Sequence, residues 1–280
     1  MRILITGGTG QLARELVRAL DGNDLFPLGR PELDIEDPGA TQRILGIRPQ
    51  VVIHAAALTD VDACERDPER AHRVNVVGTR HVAEAAGRLG AKLVYVSTDY
   101  VFDGSARAPY TEEDPPNPVN AYGRSKLEGE RVAEDCAPAP LIVRTAWLYG
   151  EGAKNFVTEI LRLARANRTL NVVDDQVGSP TWARDLAEVI RALIHLGASG
   201  IVHATGQGAC SRFEFARAIV EMAAVDAEVL PTTSDRFPRP ARRPAHCPLA
   251  QHRLRQLGLA LPYWAESLSE YVKRLGGAPA

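Results

Sequence analysis

Along the first 150 residues, short apolar runs alternate with longer stretches in which apolar positions recur every three or four residues. Residues 2–6 (RILIT), 51–57 (VVIHAAA), 91–97 (AKLVYVS) and 140–147 (PLIVRTAW) read as strands buried on both faces, with a further short apolar run at 25–28. Between them, residues 11–20 put Leu12, Leu16, Val17 and Leu20 on one helical face. Residues 40–45, 71–88 and 121–135 read as helices too, the long one ended by Gly90. Strands alternating with helices predict an α/β fold of the Rossmann type, a doubly wound parallel sheet covered on both faces. Ligands in such sheets bind beyond the carboxyl ends of the strands. Gly7 and Gly8, residues 55–59, 97–99 and 145–147 are therefore expected to converge on one crevice.

Beyond residue 150 the pattern changes. Helical stretches at 155–167, 182–196 and 213–224 lie between short strands and precede DRFPRPARRPAHCP, whose prolines cannot join a central ladder. The expected organisation is a Rossmann domain over 1–150, with segments around 165–200 returning to it, and a smaller C-terminal α/β domain over 151–280 that closes over the crevice. The sequence contains no internal repeat.

Bulk properties narrow the partners. With 280 residues, 45% apolar and 24% charged, the chain has ordinary globular composition. A formal net charge of -2 offers no global basic field for nucleic acid. Cys64, Cys136, Cys210 and Cys247 are scattered, which argues against both a disulfide framework and a metal site, and the histidines lack HExxH spacing. No run approaches the 18 apolar residues of a membrane span, and MRILITGG enters a strand at once, unlike a secretory leader. A cytoplasmic protein is expected.

Two constellations carry chemistry. Gly7, Gly10 and Ala13 form a GxxGxxA turn between a strand and an amphipathic helix, where backbone N–H groups and the helix dipole suit a pyrophosphate. Where an acidic residue would accept a ribose 2′-hydroxyl after the second strand, the chain has Gly29-Arg30. Arginine suits a 2′-phosphate, so the expected cofactor is NADPH, with NADH as the alternative. The second constellation pairs the polar strand end STDYVFD (97–103) with Tyr122 and Lys126, four apart on one helix face. A phenol is a poor acid/base at neutral pH unless a cation stabilises its phenolate, and Lys126 is placed to be that cation. With a Ser97 or Thr98 hydroxyl to orient a substrate oxygen, these parts fit hydride transfer coupled to protonation of a carbonyl.

The turn, the strand end and YxxxK resemble the extended short-chain dehydrogenase/reductases. STDYVFDG, NAYGRSKLEGE, VRTAWLYG, DDQVGSPT and the RP before Cys247 resemble, over nearly the whole chain, the dTDP-4-dehydrorhamnose reductase family. That resemblance implies Thr98, Tyr122 and Lys126 as catalytic residues, with Tyr122 the proton donor. It implies a cofactor site of Gly7, Gly10, Gln11, Leu12, Arg30, Asp34, Ile35, Ala57, Leu58, Thr59, Val96, Tyr122 and Lys126. It implies substrate contacts from Thr98, Asp99, Trp147 and Asn155, with residues 242–244 near the nucleotide end of a dTDP-4-keto-6-deoxyhexose. The implied reaction is NAD(P)H-dependent reduction of the C4 keto group of dTDP-4-dehydro-L-rhamnose. Some relatives bridge a dimer through magnesium. Here Glu15 fits one ligand position but Arg184 stands at the other, so no metal and a monomer or weak homodimer are expected. Cys247 replaces a common serine. Three other functions share these motifs: a reductase of another dTDP-4-keto-6-deoxysugar; a nucleotide-sugar dehydratase, which needs an acid where Tyr100 stands; and a non-catalytic NADP-binding subunit resembling that of methionine adenosyltransferase.

Overall fold

The computed structural model describes residues 1–277. The first strands are β1 (Arg2–Thr6), β2 (Asp24–Leu28), β3 (Val51–His54), β4 (Lys92–Thr98) and β5 (Leu141–Thr145). Helices α1 (Gln11–Ala19) and α2 (Ala40–Ile47) follow β1 and β2, and the short α3 (Val61–Arg66) follows β3. The stretch that reads as one helix over 71–88 is instead Pro68–His72, a π-helical turn Arg73–Val77, and α4 (Gly78–Leu89). Next come α5 (Ala121–Cys136) and α6 (Phe156–Ala166). They are followed by β6 (Thr169–Val173), α7 (Ala183–His195), β7 (Gly200–His203), α8 (Arg212–Met222), β8 (Glu228–Thr232) and α9 (Trp264–Gly277).

The main sheet has six strands in the order β7-β5-β4-β3-β1-β2, every pair parallel. Val51–His54 is buried at every position, as strands covered on both faces must be. One face packs on α1 and α7 through Leu12, Leu16, Leu186 and Ile190; the other packs on α2, α4 and α5 through Ile44, Val82, Ala86 and Ala133. A separate core joins α6, α8 and α9 to the two-stranded β6–β8 sheet around Tyr149, Trp182, Phe215 and Tyr271. Residues 183–203 thus belong to the main sheet and its covering layer, whereas β6 stays in the second core. Strand order reverses between β1 and β3, and the crevice opens there.

Among the described residues no helix is long and apolar enough to cross a membrane.

Candidate active site

A cavity of about 730 Å³ lies at the carboxyl ends of β1, β3, β4 and β5. Its wall includes Gly7, Gly10, Gln11, Leu12, Arg30, Asp34, Ile35, Ala57, Leu58, Thr59, Val96, Thr98, Asp99, Tyr122, Lys126, Trp147 and Asn155. Gly8 is outside the wall, because it packs against the Pro27 backbone and donates to the Leu28 carbonyl at 2.9 Å. Residues 242–244 also stand outside it. Arg243 is held by Asp62 at 2.6 Å, and the Arg242 carbonyl accepts from Asn120, the residue that caps α5.

At one end of the cavity the groups on offer are backbone. Gly7 has φ of 70°, and a Cβ there would stand 3.0 Å from the Ala56 backbone. Gly10 caps α1 without any side-chain hydrogen bond, so the first-turn N–H groups remain available. Gln11 donates to the Leu148 carbonyl while its Oε1 is buried without a protein partner. The close backbone approach at Gly7 and the open first turn of α1 fit a dinucleotide pyrophosphate. Arg30 reaches the wall, where it pairs with Glu36 at 2.8 Å, so a 2′-phosphate there would compete with that carboxylate.

The loop after β3 is fixed from below. His54 bridges Thr6 at 2.7 Å and Thr79 at 3.1 Å, and burial first, then the Lys126 charge, push its pKa down to about 3. Asn75, turned inward by the π-helical turn, accepts from Leu58 N–H at 2.8 Å and donates to the Leu58 carbonyl and to Ser125. A π turn beside a site is a recurring device. In sequence it hides inside an ordinary helical pattern.

At the other end the groups are side chains. Thr98 Oγ1 donates to Asp99 Oδ1 at 3.0 Å and accepts from Tyr100 N–H at 3.2 Å. Asp99 is 2% exposed and its Oδ2 has no protein partner. Burial raises its pKa to about 7, against the lowering effects of Thr98 and Arg212. Tyr122 meets Tyr100 edge to face with centroids 5.7 Å apart. Burial lifts the Tyr122 phenol well above its ordinary value, Thr98 pulling it back and Asp99 adding to the rise. Lys126 Nζ donates to the Val96 carbonyl at 2.8 Å and lies 4.0 Å from the Tyr95 ring centroid; burial brings its pKa down to about 7, while Glu130 raises it. In the free protein, then, burial outweighs the expected lowering of the phenol, and Tyr122 rests protonated.

Two expected contacts differ in detail. Asn155 lines the cavity, but its side chain caps α6 by accepting from Thr158 N–H and donates to the Gly150 and Ala153 carbonyls. Trp147 is not the end of a strand: its φ is 45°, and the Arg212 guanidinium carbon lies 3.4 Å from its ring centroid. Arg212, absent from the sequence-derived set, also stacks on Phe156 at 4.9 Å, and its charge bears on Tyr100 and Asp99. Its only sequence signal is a cation at the first turn of an amphipathic helix.

A parallel sheet with its switch-point cavity, a glycine turn and YxxxK on α5 define an extended short-chain dehydrogenase/reductase fold. The chain belongs to the dTDP-4-dehydrorhamnose reductase family, and the model described as the RmlD substrate binding domain matches residues 1–276. It is 42% identical over 278 residues to a dTDP-4-dehydrorhamnose reductase of Mycobacterium tuberculosis, covering 96% of this chain and 91% of that one. A probable dTDP-4,6-dihydroxy-2-methyloxan-3-one 4-ketoreductase of Streptomyces antibioticus is also 42% identical, with 96% and 94% covered. The structure of dTDP-4-dehydrorhamnose reductase from Bacillus anthracis in complex with NADP superimposes with a TM-score of 0.95 at 39% identity, covering 98% of this chain and 99% of that one.

Proposed function

We propose that this protein reduces the C4 keto group of dTDP-4-dehydro-L-rhamnose to give dTDP-L-rhamnose, using NADPH. The observation that carries the reading is the placement of Thr98, Tyr122 and Lys126 in one cavity with the open first turn of α1. NADPH, when bound, supplies the hydride. The main-sheet domain would hold it, with the first-turn N–H groups of α1, that of Gln11 among them, on the pyrophosphate and Arg30 toward the 2′-phosphate. The second core and the residues closing on Trp147 hold the sugar nucleotide.

Tyr122 enters the reaction as a neutral phenol, which its burial favours, and gives its proton to the alkoxide oxygen at C4. Thr98, its hydroxyl turning from Asp99 Oδ1, donates to the same oxygen, as an oxyanion donor does. Lys126 supplies the positive charge that the phenolate left behind requires. Asp99, with its free Oδ2, accepts from a sugar hydroxyl. Dehydration is disfavoured because position 100 carries a tyrosine whose phenol is pushed up by burial, and no carboxylate stands there to remove a carbon-bound proton. The retention of donor, cation and oxyanion group disfavours a purely regulatory NADP-binding role. Arg184, where some relatives hold a magnesium ligand, pairs with Glu270 at 2.6 Å and offers a cation no ligand; we read the protein as a monomer or weak homodimer of the cytoplasm.

The test is NADPH consumption with dTDP-4-dehydro-L-rhamnose. Tyr122→Phe should lower kcat by roughly 10²–10⁴-fold while cofactor affinity changes little. Full activity in that variant would refute the proton-donor assignment.

A further inference from the structure

Behind Lys126 lies a polar cluster with no role in the reaction as described. Tyr122, Lys126 and Glu130 recur at four-residue spacing on α5, so Glu130 is the next residue inward along the same helix face. Glu130 is 3% exposed, and Arg144 on β5 is 1% exposed. Arg144 grips Glu130 in a two-pronged pair, Nε to Oε1 at 2.9 Å and Nη2 to Oε2 at 2.7 Å. Ser97, the residue before Thr98, donates its hydroxyl to Glu130 Oε1. Three donors, two of them from one guanidinium, thus converge on this buried carboxylate as charge-assisted hydrogen bonds.

We propose that Ser97, Glu130 and Arg144 are positioning residues: Arg144 and Ser97 fix Glu130, one helical turn from Lys126, as the buried counter-charge that keeps Lys126 an ammonium between the Val96 carbonyl and the Tyr95 ring. The groups around Lys126 leave this task to Glu130. His54 on β3 is neutral, Tyr95 on β4 offers its ring face, and Tyr122 is an uncharged phenol. Asp99 lies in the turn after β4 and is itself drawn toward neutrality by burial. Arg144 is a cation, but its fork is turned onto Glu130. Among these, Glu130 is the group whose charge raises the Lys126 pKa against the loss of solvent, with the balance near 7. A buried ion pair is a weak source of stability, since a matched apolar pair of similar volume does as well. That makes an electrostatic duty the better reason for placing one here.

The experiment uses the free protein. The chain has four lysines, Lys92, Lys126, Lys154 and Lys273, so the Lys126 side-chain resonance can be assigned by substitution and titrated by NMR. Glu130→Gln should move the Lys126 titration down by about one pH unit or more. The double variant Glu130→Gln, Arg144→Met, which also removes the opposing Arg144 cation, should move it in the same direction but by less. Because it leaves no unpaired buried guanidinium, it serves if the single variant fails to fold. Glu130→Asp, which keeps the charge, should restore the titration toward wild type. In turnover, the descending alkaline limb of kcat should move to lower pH by the same amount, with activity retained on the acid side. A purely structural role would depress kcat evenly at all pH values. Wild-type Lys126 titration in a variant with wild-type melting would overturn the proposal. The duty rests on Lys126 serving Tyr122 in keto reduction. The titration needs no substrate, so absence of turnover in the wild-type protein would refute that reading and leave the electrostatic result to stand alone.

Discussion

The two ends of the cavity are built by opposite means. Around Gly7, Gly10 and α1 the working groups are backbone N–H donors, and the constraint is space: the chain passes so close to Pro27 and Ala56 that side chains are excluded. Around Thr98, Tyr122 and Trp147 the working groups are buried ionisable side chains, and the constraint is charge: Asp99, Lys126 and Arg212 each have a pKa displaced from the ordinary value, first by burial. The first end should tolerate changes of charge and fail on added volume. The second should tolerate volume-matched changes and fail on altered charge.

The largest expected effect is at the spatial end. Gly8→Ala drives a methyl group into the Pro27 backbone and disturbs the Gly8–Leu28 hydrogen bond that sets the turn. NADPH affinity should fall by about 100-fold or more, read by fluorescence titration, which corresponds to roughly 2.7 kcal/mol of lost binding. Near-normal affinity would show that the close approach is not what shapes the turn.

At the charged end, Arg212→Met nearly keeps volume but removes a cation that holds the burial-raised Asp99 pKa down to about 7. More Asp99 is then protonated at neutral pH. KM for the sugar nucleotide should rise about tenfold, or ~1.4 kcal/mol, with the low-KM range displaced to higher pH. Arg212→Lys should recover much of the loss. Equal effects of Met and Lys would mean that stacking on Trp147, not charge, is the role of Arg212.

Smaller changes sharpen the contrast. Arg30→Asp alters charge at the end built from backbone, so it should leave the turn intact and lower the NADPH-over-NADH preference severalfold in kcat/KM. An unchanged ratio would detach Arg30 from cofactor choice. A separate effect concerns stability. His54 is 1% exposed and has its pKa lowered to about 3, so the unfolded chain binds a proton that the folded chain refuses as pH falls below the ordinary 6.5. Its contribution is present above that value and is lost on acidification toward 3. By pH 5 the loss is about 2 kcal/mol, a drop of several degrees in Tm by scanning calorimetry. A flat Tm would show that His54 is not neutral as its Thr6 and Thr79 contacts imply.

The same contrast explains what could be read from sequence. Alternating strands and helices, the glycine turn and the polar strand end announce themselves because each depends on local spacing: GxxGxxA at a strand–helix junction, and four residues between Tyr122 and Lys126. What stayed hidden depends on contacts between distant segments. Arg212 meets Trp147 only after α8 folds over the cavity, and the backbone at Trp147 adopts a left-handed turn that its apolar neighbours disguise as strand. Asn75 points inward through a π turn inside a helical pattern, and Glu130 finds Arg144 only when α5 lies on β5. Asn155 shows the reverse error: its place in the cavity wall is right, but its side chain is engaged in capping α6.

The central claim is that this cavity moves hydride to C4 of the sugar and a proton from Tyr122 to its oxygen. The most direct measurement supplies dTDP-4-dehydro-L-rhamnose and NADPH carrying deuterium at the transferable position, then examines the product by NMR. The account predicts dTDP-L-rhamnose with deuterium at C4, one per NADPH consumed, and almost none of it from Tyr122→Phe. Tight binding of both molecules to the wild-type protein without transfer of the label would contradict it.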